Sequence, residues 1–274
     1  MTMSPINGVQ IYWEITGDAG EAVVLVHGSW GDHTNWALVV PALSQSFRVL
    51  TYDRRGHSRS ERPATQGSLR EDVADLAALI EHHGHAPAHI IGSSFGASIV
   101  LRLATERPDL FRSMIVHEPP LFSLLAEEPN ARSALVAARS RIAAVVAVLA
   151  RGDFASGARE FVETIAVGPG AWEALPRRVR ETFIFNAPTW LDEMQDPEVM
   201  ELDRDSLHGF AAPALLTMGG KSPPFFPLVV GQVAGAMPHA QTHTYAEAGH
   251  VPHLSHTDEY LRVVTRFITT QIGR

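Results

Sequence analysis

Ser94 stands midway between two glycines in Gly92-Ser93-Ser94-Phe95-Gly96. An apolar run precedes it at 88–91, and a helical pattern follows at 97–106. A sharp strand-to-helix turn needs small residues on both sides of its centre, because the backbone passes close to itself there. Such a turn lifts the Ser94 hydroxyl above the sheet edge. It also places that hydroxyl at a helix N-terminus, where N–H groups favour developing negative charge. The chemistry this suits is nucleophilic attack by serine. The plain alternative is a glycine-rich turn with no reaction attached.

A second stretch raises a different question. In SMIVHEPPLF, 113–122, an apolar strand ends on His117 and Glu118, and two prolines follow. Glutamate is a poor strand residue and is costly to bury without a partner. It could cap a turn, pair with an arginine, or serve as the carboxylate of a reacting group. Pro119 and Pro120 fix φ in the turn that follows.

The elements around these residues alternate. The reading gives strands at 9–15, 22–26, 47–52, 88–91, 114–116, 214–218 and 241–245. Helices are read at 35–45, 68–83, 97–106, 228–236 and 256–272. The 22–26 run, AVVLV, has the unbroken β-branched pattern of a strand buried on both faces. Ser68 with Glu71 forms a capping box. Alternation of this kind predicts an α/β fold with a doubly wound, mostly parallel sheet. The middle differs: helical segments at 131–150, 154–166 and 171–185 come with no strand between them. The expected organisation is therefore a core of 1–123 and 208–274, with 124–207 inserted as a helical lid.

Bulk properties narrow the partners. The 274 residues carry a net charge of −8, which argues against nucleic acid. With no cysteine, thiol catalysis, disulfides and thiolate metal sites are excluded. The start of the chain lacks a basic segment followed by an apolar one, and the apolar run at 142–150 is too short for a membrane span. A cytoplasmic protein without membrane association is expected. Its oligomeric state is left open, with a homodimer as one option. The fourteen histidines include no helical pair set with a glutamate, so no metal and no cofactor are expected.

The segments VLVHGSWG, YDRRGHSRS, IGSSFG and AGHVPHLSH together resemble the α/β-hydrolase superfamily over nearly the whole chain. The resemblance implies an oxyanion hole from the backbone N–H groups of Ser29 and Phe95, with Trp30 shaping the pocket beside it. It implies that Asp53 and Arg54 brace the sheet edge and that His27 braces the oxyanion loop. The base falls on the last strand–helix loop, where Gly249-His250 matches the family's Gly-His pair; His253 and His256 are the alternatives. In most of the family an aspartate follows the next-to-last strand. Here Ser222 stands at that place, and no Asp or Glu occurs between Asp205 and Glu247. Some relatives carry the acid after the strand that follows the nucleophile. The zearalenone lactonases are one such group, and their His-Glu-Leu-Pro segment is similar to 117–120 here. Glu118 is accordingly the expected acid, with Glu247 as runner-up.

With a serine nucleophile the expected chemistry is acyl transfer on a carboxylic ester or lactone of an apolar or aromatic small molecule. Phe122 and Trp190 are expected to meet the substrate along with Trp30. Phe183 and Phe185 are assigned mainly to lid packing. Two other functions share these residues. One is a cofactor-free perhydrolase of the haloperoxidase kind or a C–C bond hydrolase on the same triad. The other is a non-catalytic small-molecule-binding protein of the same fold.

Overall fold

The computed structural model describes residues 2–271. Eight strands form one sheet in the order β1-β2-β4-β3-β5-β6-β7-β8. They are β1 Met3–Ile6, β2 Val9–Thr16, β3 Ala22–Val26, β4 Arg48–Tyr52, β5 Ala88–Ser93, β6 Phe111–His117, β7 Ala214–Gly219 and β8 Gln241–Tyr245. From β4 onward across the sheet every neighbour is parallel; β1 and β2 are antiparallel.

Strand β1 was not read from the sequence, although its signal is present. Asn7-Gly8 joins it to β2, and both residues have positive φ, 44° and 86°. Asn-Gly is the pair that a two-residue hairpin turn favours.

Both faces of the sheet are covered, and the alternation along β3 shows it. Val24 and Val26 join the cluster under α1 (Leu69–His82), α2 (Phe95–Glu106) and α6 (Phe225–Ala236). Val23 and Leu25 join the opposite cluster, with Trp36, Leu43 and the last helix, α7 (Thr257–Thr269). The expected helix at 35–45 is instead a 3-10 turn, His33–Trp36, and one helical turn, Val40–Leu43, begun at Pro41. The expected end of the last helix, Ile272, lies outside the described residues.

Between β6 and β7 the long helices are α3 (Arg132–Leu149), α4 (Phe154–Phe161) and α5 (Arg177–Gln195). Helix α5 runs ten residues beyond the expected end, through Pro188. These helices enclose a third apolar cluster of Val145, Leu149, Val162, Trp172 and Trp190, into which Trp30 inserts from the sheet side. Residues on either side of it, Leu125, Leu135, Val199 and Leu207, pack into the first cluster instead. No helix among the described residues is long and apolar enough to cross a membrane.

The strand-to-helix turn at Ser94 depends on its glycines. A Cβ on Gly96 would lie 2.3 Å from the Val26 carbonyl oxygen, and one on Gly92 would lie 2.4 Å from the Gly96 oxygen. Both obstacles are backbone and cannot swing away. Gly96→Ala is therefore expected to destabilise the protein by about 3 kcal/mol, at the upper end of ordinary overpacking. Thermal or urea melts against wild type check this, and an unchanged midpoint contradicts it.

Candidate active site

Ser94 sits between β5 and α2 with φ 55° and ψ −123°, a conformation that L-residues rarely adopt. Glu118 (φ 45°) and Trp30 (φ 67°) share the positive-φ region. Three of the five described non-glycine residues with positive φ thus lie at the serine turn, the β6 end and the loop after β3. Strain of this sort persists only where the surroundings hold it.

The hold at the first two is visible. The Ser94 N–H donates to the His117 oxygen at 2.8 Å, and the Glu118 N–H donates to the Thr217 oxygen at 3.2 Å. The serine turn is thereby bonded to the residue just before the acid. The Glu118 carboxylate is fully buried. Its Oε1 accepts the Gly219 N–H at 2.7 Å, and its Oε2 lies 2.5 Å from His250 Nδ1. Burial alone would raise the Glu118 pKa, but the His250 hydrogen bond, the neighbouring histidines and the Gly219 N–H outweigh it and hold it below the usual range.

With Nδ1 donating to Glu118, the His250 ring turns Nε2 into its acceptor. The Phe226 ring stacks on this imidazole at 4.6 Å and 17°. Phe226 was not singled out from the sequence; its only mark was a place just after the vacated acid position. No hydrogen bond joins Ser94 Oγ to His250 among the described residues, and such bonds commonly tighten only when substrate is bound.

The other candidates take different places. Glu247 is exposed and pairs with Lys221 at 2.7 Å. Ser222 Oγ is buried without a hydrogen-bond partner among the described residues. His253 is buried against Trp36 at 4.6 Å, and burial pushes its pKa down to about 3. The His256 ring meets the Ser255 hydroxyl. His27 accepts the Arg54 N–H at 3.0 Å, tying the loop after β3 to the loop after β4. Asp53 accepts N–H groups from His33 and Arg59, so it too binds loops together.

The loop after β3 runs against the serine: a Cβ on Gly28 would lie 3.0 Å from Ser94 Cβ and 3.6 Å from its Oγ. The N–H groups of Ser29 and Phe95 have no protein acceptor among the described residues. Helix geometry explains Phe95, since a first-turn N–H has no intrahelical partner.

Trp30, Trp190 and Phe122, expected to meet the substrate, each pack against other aromatic rings. Trp30 is 1% exposed and stacks on Phe161 at 4.6 Å, with Trp190 at 5.1 Å. Both indoles belong to the third cluster, where Leu149, Val162 and Trp172 are buried with them. Phe122 is buried edge-on to Phe225 at 4.9 Å, next to the ring that covers His250. Phe183 packs on Trp30, while Phe185 is exposed.

Among the described residues, two groups place three possible metal-ligand atoms within 4.8 Å of one another: His117, Glu118 and His250, and Asp32, His33 and Asp53. In the first, one carboxylate oxygen is already engaged by His250. In the second, Asp32 accepts from Thr34 and Ser58, and Asp53 from His33 and Arg59. Each of these carboxylates also takes part in internal hydrogen bonds.

Sequence reasoning also missed Glu193, on α5. The Ser29 hydroxyl donates to its Oε2 at 2.5 Å, and the buried Arg54 guanidinium donates to its Oε1. Burial pushes the Glu193 carboxyl up to about 7 despite the Arg54 charge.

A model of the α/β hydrolase fold matches residues 21–257. The chain belongs to the α/β hydrolase family. An uncharacterised hydrolase of Bacillus subtilis is 37% identical over 122 residues, 44% of this chain and 45% of the relative. The chain thus matches less than half of that relative's length. A pimeloyl-[acyl-carrier protein] methyl ester esterase of Chromobacterium violaceum is 31% identical over 257 residues, 92% of this chain and 96% of the relative. Among solved structures, the enol-lactonase of Burkholderia xenovorans superposes with a TM-score of 0.66 at 22% identity, covering 98% of this chain and all of that one. That likeness is one of fold.

For this α/β hydrolase, Glu118 links the site to stability. Its folded pKa is depressed, so its contribution is present above the unfolded pKa and disappears as pH falls through the folded one. Glu118→Gln is neutral throughout. The melting temperature of Glu118→Gln is expected to lag wild type most at neutral pH and to converge with it in acid. Melts from pH 7 down to about pH 3 check this, and a gap independent of pH contradicts it.

Proposed function

We propose that this α/β hydrolase is a serine hydrolase that cleaves a carboxylic ester or lactone through an acyl-enzyme on Ser94. The observation that carries the reading is the buried Glu118 carboxylate 2.5 Å from His250 Nδ1, at a strand end bonded to the Ser94 turn.

Each step has an assigned group. His250 Nε2 takes the Ser94 proton as Oγ bonds to the carbonyl carbon. The N–H groups of Ser29 and Phe95 receive the oxyanion, at the start of α2 where the helix end adds positive potential. The carbon–oxygen bond to the leaving alcohol breaks, and His250 returns the proton to that alcohol. Water then repeats the sequence on the acyl-enzyme and frees Ser94. Glu118 holds the tautomer and stabilises the imidazolium formed at each transfer.

The ester side of the reading is supported by the Chromobacterium relative, which is named for a methyl ester and aligned over nearly its whole length. A small apolar or aromatic substrate fits the phenylalanines beside His250, Phe226 and Phe122. The segment from α3 to α5 serves as the lid. The acidic chain acts on a small molecule rather than a nucleic acid or membrane, and does so in the cytoplasm.

A screen of p-nitrophenyl esters and lactones tests this, with Ser94→Ala as the blank. Ser94→Ala is expected to abolish turnover while keeping the wild-type melting temperature. Glu118→Gln is expected to lower kcat by roughly 10²–10⁴, the cost of losing the orienting acid of a triad. Near-normal turnover in Ser94→Ala removes the serine from the role. A silent Glu118→Gln beside an impaired Glu247→Gln moves the acid.

A further inference from the structure

Helix α5 presents Asn186, Thr189 and Glu193, at positions i, i+3 and i+7, on one buried face. Asn186 Nδ2 donates to the Trp30 and Gly31 oxygens at 3.1 and 2.8 Å, and its Oδ1 accepts the Ser58 N–H at 2.8 Å. Thr189 Oγ1 lies 3.0 Å from His57 Nε2. Glu193 accepts from the Ser29 hydroxyl and from Arg54. The Arg54 guanidinium in turn lies 4.6 Å over the Phe95 ring.

One carboxylate therefore touches both residues assigned to the oxyanion hole: Ser29 directly, and Phe95 through Arg54. We propose that Glu193 is a positioning residue that fixes the two oxyanion donors, so that docking of α5 completes the hole. This rests on the serine-hydrolase reading and deepens it. The physical basis is that oxyanion stabilisation depends on donors being held before charge develops. The residue after Ser29, Trp30, has a positive φ of 67°, a conformation that persists only where the surroundings hold it. Asn186 ties down the carbonyls of that loop, and Glu193 anchors the side chain of the donor residue. Arg54 is fully buried, with Nε and Nη1 making no hydrogen bond among the described residues, so Glu193 also supplies its close counter-charge; Asp72 lies farther, 3.8 Å from Nη1.

Two variants of the full chain test this: Glu193→Gln, nearly isosteric but without charge, and Ser29→Ala, which removes only the hydroxyl and keeps the backbone N–H. A fluorophosphonate counts reactive Ser94 sites, and p-nitrophenyl ester kinetics are then expressed per site. Each variant is expected to lose about tenfold or more in kcat per site, with KM changed less than about threefold, as befits an interaction realised in the transition state. The double variant is expected to fall little below the weaker single, because both changes break one contact. A purely structural role would reduce the number of labelled sites and the melting temperature but leave kcat per site untouched; that result overturns the proposal. If Glu193→Gln does not fold, Ser29→Ala decides alone, with normal kcat per site overturning it. Wild-type protein that takes no fluorophosphonate overturns the reading of Ser94 and this inference with it. Full labelling with unchanged kcat per site in both variants overturns only this inference.

Discussion

A carboxylate with no exposure to water sits at the end of β6, and the neighbourhood is arranged around keeping it charged. Burying an ion is among the most costly things a fold can do. Glu118 offsets that cost with two close donors, His250 Nδ1 and the Gly219 N–H, drawn from two further connections of the sheet. Glu118, the residue just after β6, has a positive φ, and the Thr217 oxygen captures its N–H. The same strand end offers the His117 oxygen to Ser94. Burial drives the pKa of His117 itself down to about 3.

Much of this was legible because it is expensive or repetitive. A fully buried parallel strand must be apolar on both faces, so AVVLV declared β3. Glu118 stood out because a glutamate at a core-strand end demands a partner and the place after β7 holds only Ser222. What stayed hidden depends on distance along the chain. Glu193 meets Arg54 and Ser29 across 139 and 164 residues, and no local pattern announces a partner that far away. The expected α5 stopped at Phe185 before a proline, which concealed the helix face on which Asn186, Thr189 and Glu193 align. Trp30 and Trp190 were visible as large rings near the right segments, but the sequence does not say whether a ring faces a pocket or a neighbour. Strand β1 is a different case: the Asn-Gly turn was there, and the edge pairing it makes was not followed.

The two ways α5 attaches to the sheet domain complement each other. Trp30 enters the apolar cluster between the helices, and apolar contact is tolerant of small rotations. The polar residues of α5 are not tolerant: an amide that spans three backbone groups and a carboxylate between a hydroxyl and a guanidinium have few satisfactory placements. Area supplies the adhesion and polar geometry supplies the register. The Arg54–Glu193 pair, costly to desolvate, is better understood as fixing one arrangement than as adding stability.

The position of Glu118 also affects how separable the parts of this chain are. Because Glu118 precedes the helical segment rather than following it, residues 119–131 run directly from the carboxylate into α3. Any exchange of these helices with those of a relative must be cut within a few residues of the group that orients His250, and the incoming segment must restore the turn as well as the pocket. The return connection into β7, residues 196–213, holds none of Ser94, Glu118 and His250. Evolutionary or engineered change in the helical segment is thus constrained at its entrance and comparatively free at its exit.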